Sequence, residues 1–160
     1  MYFSEDSMDM IWGMLEACRG LYHGPNHPEG DVHTHSLQCA TIALREGTDI
    51  DLIVAALSHD VGKAVEMHGH EEHSVSMLDG LVSVKTLWLV ENHMRVRTYL
   101  DGEMSRLSKC QYLSHHPWFA ELIQLVRWDN MARRPGWKPV MDAGMFLDRL
   151  DKVVDSRWQE

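Results

Sequence analysis

Between Ile50 and Leu57 the chain is apolar on nearly every side of a helix, through Ile50, Leu52, Ile53, Val54, Ala55, Ala56 and Leu57. A helix without a polar face has to be surrounded, so this run predicts the central helix of a helical core, with Asp49 as its N-cap. His59 and Asp60 extend it, and Lys63 falls four residues past His59 on the same helical face. A carboxylate at the end of a buried helix needs a cation, because desolvating a lone ion costs on the order of several kcal/mol. A metal ion held by His59 and Asp60 would supply it.

The flanking sequence reads as helices around that one. Ser4, Glu5 and Asp6 cap a first helix whose stripe is Met8, Ile11, Trp12, Leu15 and Cys18. A loop follows from Gly20 through His23 to Gly30. Asp31 caps a second helix ending near Glu46 at Gly47, on which Val32, His35, Ser36, Cys39, Ala40 and Ala43 share a face. After a loop at 65–69, His70 opens a short helix to Gly80; His73 stands one turn on, and spacing leaves open which of the two faces inward. A helix from about Ser83 to Met94 puts Leu89, Val90 and His93 on one face. Asp101-Gly102 marks a turn, and a polar helix runs from Met104 to Leu113. Pro117 starts a further helix with Trp118, Leu122, Val126 and Asp129 along one side. The last helix begins near Pro139, with Ala143, Phe146, Leu147, Leu150, Val153, Val154 and Trp158 together. No strand alternation or repeat interrupts the pattern, so the expected fold is all-α, a bundle of about seven or eight helices in one domain spanning 1–160.

Composition narrows the function. A net charge of -9 argues against an extended surface for nucleic-acid phosphates and favours a small ligand. No window approaches the roughly 18 apolar residues of a membrane span. The N-terminus carries no basic and apolar leader, and Cys18, Cys39 and Cys110 form no close pair, which fits a reducing cytoplasm. The apolar faces of the first and last helices suit either core packing or a homodimer contact. Histidine is the outlier: the 11 histidines are spread between His23 and His116 rather than bunched as in a tag.

Six of the singled-out positions, His35, His59, Asp60, His70, His93 and Asp129, carry metal-ligating side chains. Mixed imidazole and carboxylate donors suit Mn, Fe, Co, Ni or Zn and not magnesium, which prefers oxygen alone. Six donors exceed the closed four-ligand shell of a structural zinc, whereas one or two divalent ions sharing a carboxylate would use them. Two ions about 4 Å apart can activate a water and stabilise both oxygens of an in-line displacement at phosphorus.

In order, His35, His59-Asp60 and Asp129 resemble the signature of the HD-domain metal-dependent phosphohydrolases, an all-helical superfamily. The run His27-Pro28-Glu29-Gly30-Asp31-Val32-His33-Thr34-His35-Ser36, then His59-Asp60-Val61-Gly62-Lys63, Gly69-His70-Glu71 and Glu91-Asn92-His93, is similar to the HD domain of bacterial CCA-adding tRNA nucleotidyltransferases. The nucleotidyltransferase and tRNA-binding parts of those enzymes have no counterpart in these 160 residues, so CCA addition is not expected of them. The resemblance implies that His35, His59, Asp60 and Asp129 hold a first ion, and that His70 and His93 take a second with Asp60 bridging. It also implies hydrolysis of a phosphomonoester or (cyclic) phosphodiester, with a nucleotide as the expected substrate. His33 departs from that subgroup, which often carries a large residue there, and so bears on the pocket lining.

The expected mechanism uses a metal-activated water as nucleophile, with Asp60 as bridging ligand and Lys63 stabilising charge on the phosphoryl oxygens. Arg95, Arg97 and Arg133 are candidate helpers, although Arg95 and Arg97 equally suit a helix C-terminus. Glu29 and Glu71 can orient ligand histidines, or Glu71 can simply begin a helix. Two rival readings exist. HD-fold diiron oxygenases use the same ligand types, with a tyrosine and glutamate ahead of the first histidine; Tyr22 and Glu29 are present at a different spacing. A nucleotide-binding sensor without turnover is the other, weakened because all six ligands remain.

Overall fold

The computed structural model describes residues 4–22, 30–47, 49–100, 112–133, 144–146 and 148–150. Among them the α-helices are α1 (Glu5–Glu16), α2 (Val32–Glu46), α3 (Ile50–Ser58), α4 (His70–Leu78), α5 (Val84–Leu100) and α6 (Phe119–Met131), with short 3₁₀ helices at Val61–Ala64 and Leu113–His115 and no strand. The all-α expectation holds. Helix α3 is central: every residue from Leu52 to Ser58 is buried, and α2, α5 and α6 pack around it. Each Leu, Ile or Val side chain fully buried there contributes about 1.5–3 kcal/mol.

Local chemistry sets the helix starts. Ser4 accepts from the Ser7 amide, and Asp49 from that of Asp51. Asp31 accepts from Thr34 N–H at 2.8 Å and from Gly20 N–H at 2.9 Å, so one carboxylate caps α2 and ties it to the turn after α1. Helix α1 turns Met8, Ile11 and Leu15 inward. At the other end of α2, a Cβ on Gly47 would lie 2.8 Å from the Ala43 carbonyl and 2.9 Å from the Trp128 ring. Glycine there lets the Trp128 indole close over the α2–α3 turn and donate to Glu46 at 2.8 Å.

Three boundaries differ from expectation. Helix α3 stops at Ser58 instead of carrying through His59 and Asp60; His59 is its C-cap, and Asp60 leads into the 3₁₀ turn. Lys63 therefore reaches Asp60 across that turn rather than along an α-helical face. Helix α5 continues to Leu100 because its inner face continues, Val96 being buried beyond His93. Helix α6 starts at Phe119 with Trp118 as N-cap, so Pro117 precedes the helix. Phe146 and Leu150 are buried as the last stripe requires. The Asp101-Gly102 turn, most of the Met104–Leu113 helix, the 23–29 loop and the remaining last-helix positions lie outside the described residues.

Candidate metal centre

The end of α3 brings the predicted donors together. His35 from α2, His59 and Asp60 from the end of α3, and Asp129 from α6 form one buried group; Asp60, His70 from α4 and His93 from α5 form a second. Within each, one donor atom per residue lies within 4.8 Å of the others. Asp60 belongs to both. Its Oδ2 lies 3.3 Å from His59 Nε2 and 3.6 Å from His35 Nε2, while its Oδ1 lies 3.0 Å from His70 Nε2 and 3.7 Å from His93 Nε2. Asp129 Oδ1 is 2.7 Å from His35 Nε2 and 3.5 Å from His59 Nε2.

Backbone carbonyls aim three of the four imidazoles. His59 Nδ1 donates to Ala56 C=O at 2.9 Å, His70 Nδ1 to Met67 C=O at 3.2 Å and His93 Nδ1 to Val90 C=O at 2.5 Å. With Nδ1 committed, Nε2 is the atom turned toward the clustered donors, the orientation a ligating histidine needs. His70 Nε2 and His93 Nε2 face each other at 3.2 Å. Two such lone pairs repel unless a proton or a cation lies between them.

The site fits a divalent ion by its unmet demand. His59 Nε2, Asp60 Oδ2 and Asp129 Oδ2 are buried with no hydrogen-bond partner, an arrangement costing about 1–3 kcal/mol per atom. Burial pushes both aspartates up, yet both stay well below the usual carboxylate range: His59 and Lys63 outweigh it at Asp60, and His35 and His59 at Asp129. Burial pushes His59 down, and the Asp60 and Asp129 carboxylates overcome it, raising its pKa to about 10. At His93 burial prevails and the pKa is lowered. Cys39 is also buried; burial first, then Asp129 and Asp60, push its thiol well up, so it offers no thiolate.

Among the other candidates, Lys63 is buried with Nζ 3.1 Å from Asp60 Oδ2, a contact without hydrogen-bond geometry. Arg133 Nε donates to Asp129 Oδ1 at 3.2 Å, and its buried Nη2 has no partner. Arg95 is exposed and donates to Asn92 at 2.8 Å and to the Tyr112 hydroxyl at 2.9 Å. Arg97 is half-buried one turn past His93. His73 is 39% exposed beside Glu66, so His70 is the inward histidine of α4. Glu71 stands 3.7 Å from His70 Nδ1, which the Met67 carbonyl holds instead. Glu29 lies outside the described residues. His33 is buried toward Glu16 of α1, 3.6 Å away. Sequence reasoning missed Ser74, fully buried on α4 and bonded to the backbone on both sides of Asp60. Its only signal is its place one turn after His70.

Among the described residues, an all-helical core carries two adjoining His/Asp clusters, each of which could hold a metal ion. The HD domain model matches residues 32–127, and the chain belongs to the HD domain family, within the metal-dependent phosphohydrolase superfamily. Asp129 lies just past the matched stretch. The chain is 33% identical over 79 residues to the Multifunctional CCA protein of Janthinobacterium sp. (strain Marseille), covering 45% of this chain and 18% of that protein. To the Multifunctional CCA protein of Thioalkalivibrio sulfidiphilus it is 39% identical over 83 residues, covering 47% and 20%. To that of Methylobacillus flagellatus it is 28% identical over 120 residues, covering 66% and 28%. The matches thus span less than a third of these relatives' length.

Proposed function

We propose that residues 1–160 form a single HD domain that hydrolyses a phosphomonoester or (cyclic) phosphodiester, with a nucleotide as substrate. The observation carrying this reading is the division of Asp60, whose two oxygens face two different histidine pairs. A carboxylate shared in this way is the bridge a two-ion centre requires. Divalent ions supply Lewis acidity toward phosphoryl oxygens and bring the pKa of water toward neutrality.

The chain's own part is positioning. His35, His59, Asp60 and Asp129 would hold one ion and Asp60, His70 and His93 the other, the mixed donors suiting Mn, Fe, Co, Ni or Zn. Lys63 and Arg133 keep positive charge against the two carboxylates, where they stabilise charge gathering on phosphoryl oxygens. The nucleotide preference rests on family resemblance. The acidic balance favours a small phosphorylated partner over a long nucleic acid, and unpaired Cys18 and Cys39 suit the cytoplasm. No described helix is long and apolar enough to cross a membrane. Tyr22 is exposed rather than turned into the buried clusters, which gives the oxygenase reading no support.

The test is a phosphate-release screen over mono-, tri- and cyclic nucleotides, crossed with Mn, Fe, Co, Ni and Zn and repeated on Asp60→Ala. Metal-dependent release abolished by Asp60→Ala is expected. Absence of release with every metal, or oxygen consumption by iron-loaded protein, would overturn the reading. Nucleotide retained without turnover and unaffected by His59→Ala would make the domain a sensor.

A further inference from the structure

We infer that Ser74 is a positioning residue that sets the second metal position relative to the first, by clamping the backbone on both sides of Asp60. The inference rests on the two-ion reading above. The Ser74 hydroxyl donates to His59 C=O at 3.1 Å and accepts from Gly62 N–H at 2.8 Å. One hydroxyl, a single donor with spare lone pairs, thus joins the peptide group before Asp60 to the amide two residues after it. Between these anchors Asp60 sits at φ -107°, ψ 5°, in the sparsely populated bridge region, with no side-chain cap at this turn.

Gly62 makes the clamp possible. A Cβ there would lie 2.1 Å from the His70 carbonyl, 2.5 Å from the Ser74 amide nitrogen and 2.7 Å from Ser74 Oγ. The turn carrying Asp60 therefore lies directly against the first turn of α4. His70 and Ser74 stand one helical turn apart on that rigid element, so the hydroxyl's hold on the turn dictates where His70 Nε2 meets Asp60 Oδ1, at 3.0 Å. The first position also draws His35 from α2 and Asp129 from α6, elements anchored elsewhere in the core. Removing the hydroxyl should loosen the second position and spare the first.

The experiment is a Mn²⁺ titration of the full chain followed by EPR, on the wild type and on Ser74→Ala, or Ser74→Cys where the alanine chain does not fold. Thr41→Val is the control, since it deletes a buried hydroxyl bonded to Leu37 C=O at 2.7 Å along α2. The wild type and Thr41→Val are expected to bind two ions with an exchange-coupled signal. The Ser74 variant should keep the first ion within about threefold and bind the second about ten- to a hundredfold more weakly, the coupled signal giving way to that of an isolated ion. Wild-type affinity and coupling in the Ser74 variant overturn the assignment while leaving the two-ion reading intact. Equal weakening of both ions also overturns it, because it reduces Ser74 to general packing. A wild type that binds one ion defeats the two-ion reading and the Ser74 assignment with it.

Discussion

Loading the metal-free protein with its first ion is expected to expel about one proton at pH 7, and that proton belongs to His59. Its Nε2 lies 3.3 Å from one buried carboxylate and 3.5 Å from another, while its Nδ1 is already bonded to Ala56 C=O. Burial opposes the charge, the carboxylates prevail, and the pKa stands at about 10. Three units above neutrality leaves roughly one molecule in a thousand unprotonated, so an ion taking Nε2 works against about 4 kcal/mol at pH 7. Affinity should climb about tenfold per pH unit from 7 toward 10. The raised pKa stabilises the metal-free fold fully below the unfolded histidine value of about 6.5, and that contribution is lost as pH rises through about 10. Over this window metal-free stability falls while affinity rises, so the metal-induced increase in Tm grows with pH. Calorimetric titration of Mn²⁺ in two buffers of widely different ionisation enthalpy counts the proton as the slope of observed against buffer enthalpy. A slope of zero would refute the reasoning, since His59 would then be neutral before the ion arrives.

Gly62→Ala should lose about 1–3 kcal/mol in urea unfolding, because the atoms its Cβ meets are mostly backbone, and should also lose the second ion; an unchanged midpoint would deny the close approach. His70→Ala is expected to reduce metal stoichiometry from two to one while His73→Ala leaves it at two, read by elemental analysis after dialysis. Arg133→Gln should cut kcat/KM for phosphate release on the order of a hundredfold with metal content unchanged. An equal rate in that variant would place the phosphoryl contact elsewhere.

The starts of α1, α2 and α3 were legible because capping is a local transaction: Ser4, Asp31 and Asp49 each meet an amide two or three residues on. The centrality of α3 was legible because a helix lacking a polar face has nowhere else to go. His35, His93 and Asp129 could be picked out because each stood on an apolar stripe and His59 and Asp60 because they closed an apolar run, whereas His70 came from the family resemblance. What local pattern misread or left open was decided by tertiary contacts. Extending α3 through Asp60 was wrong because Ser74, from another helix, takes the amide and carbonyl that a continuing helix would have used. His70 and His73 share a helix and a residue type, and only the packing of α4 against the Asp60 turn and α5 separates them. The reach of Arg95 depends on Tyr112, 17 residues away, beyond any local pattern.

The carbonyls that hold His59, His70 and His93 belong to the backbone of Ala56, Met67 and Val90, so no side chain at those positions supplies the bond. The heading of each ring is thereby independent of the side-chain chemistry at its own support, with most latitude at Met67, which is 39% exposed, and least at Ala56 and Val90, which are fully buried. Evolutionary drift at these three sites can reshape the space around the ligands while leaving the tautomers untouched. A lineage of such chains could vary the surroundings of these imidazoles without first re-aiming them.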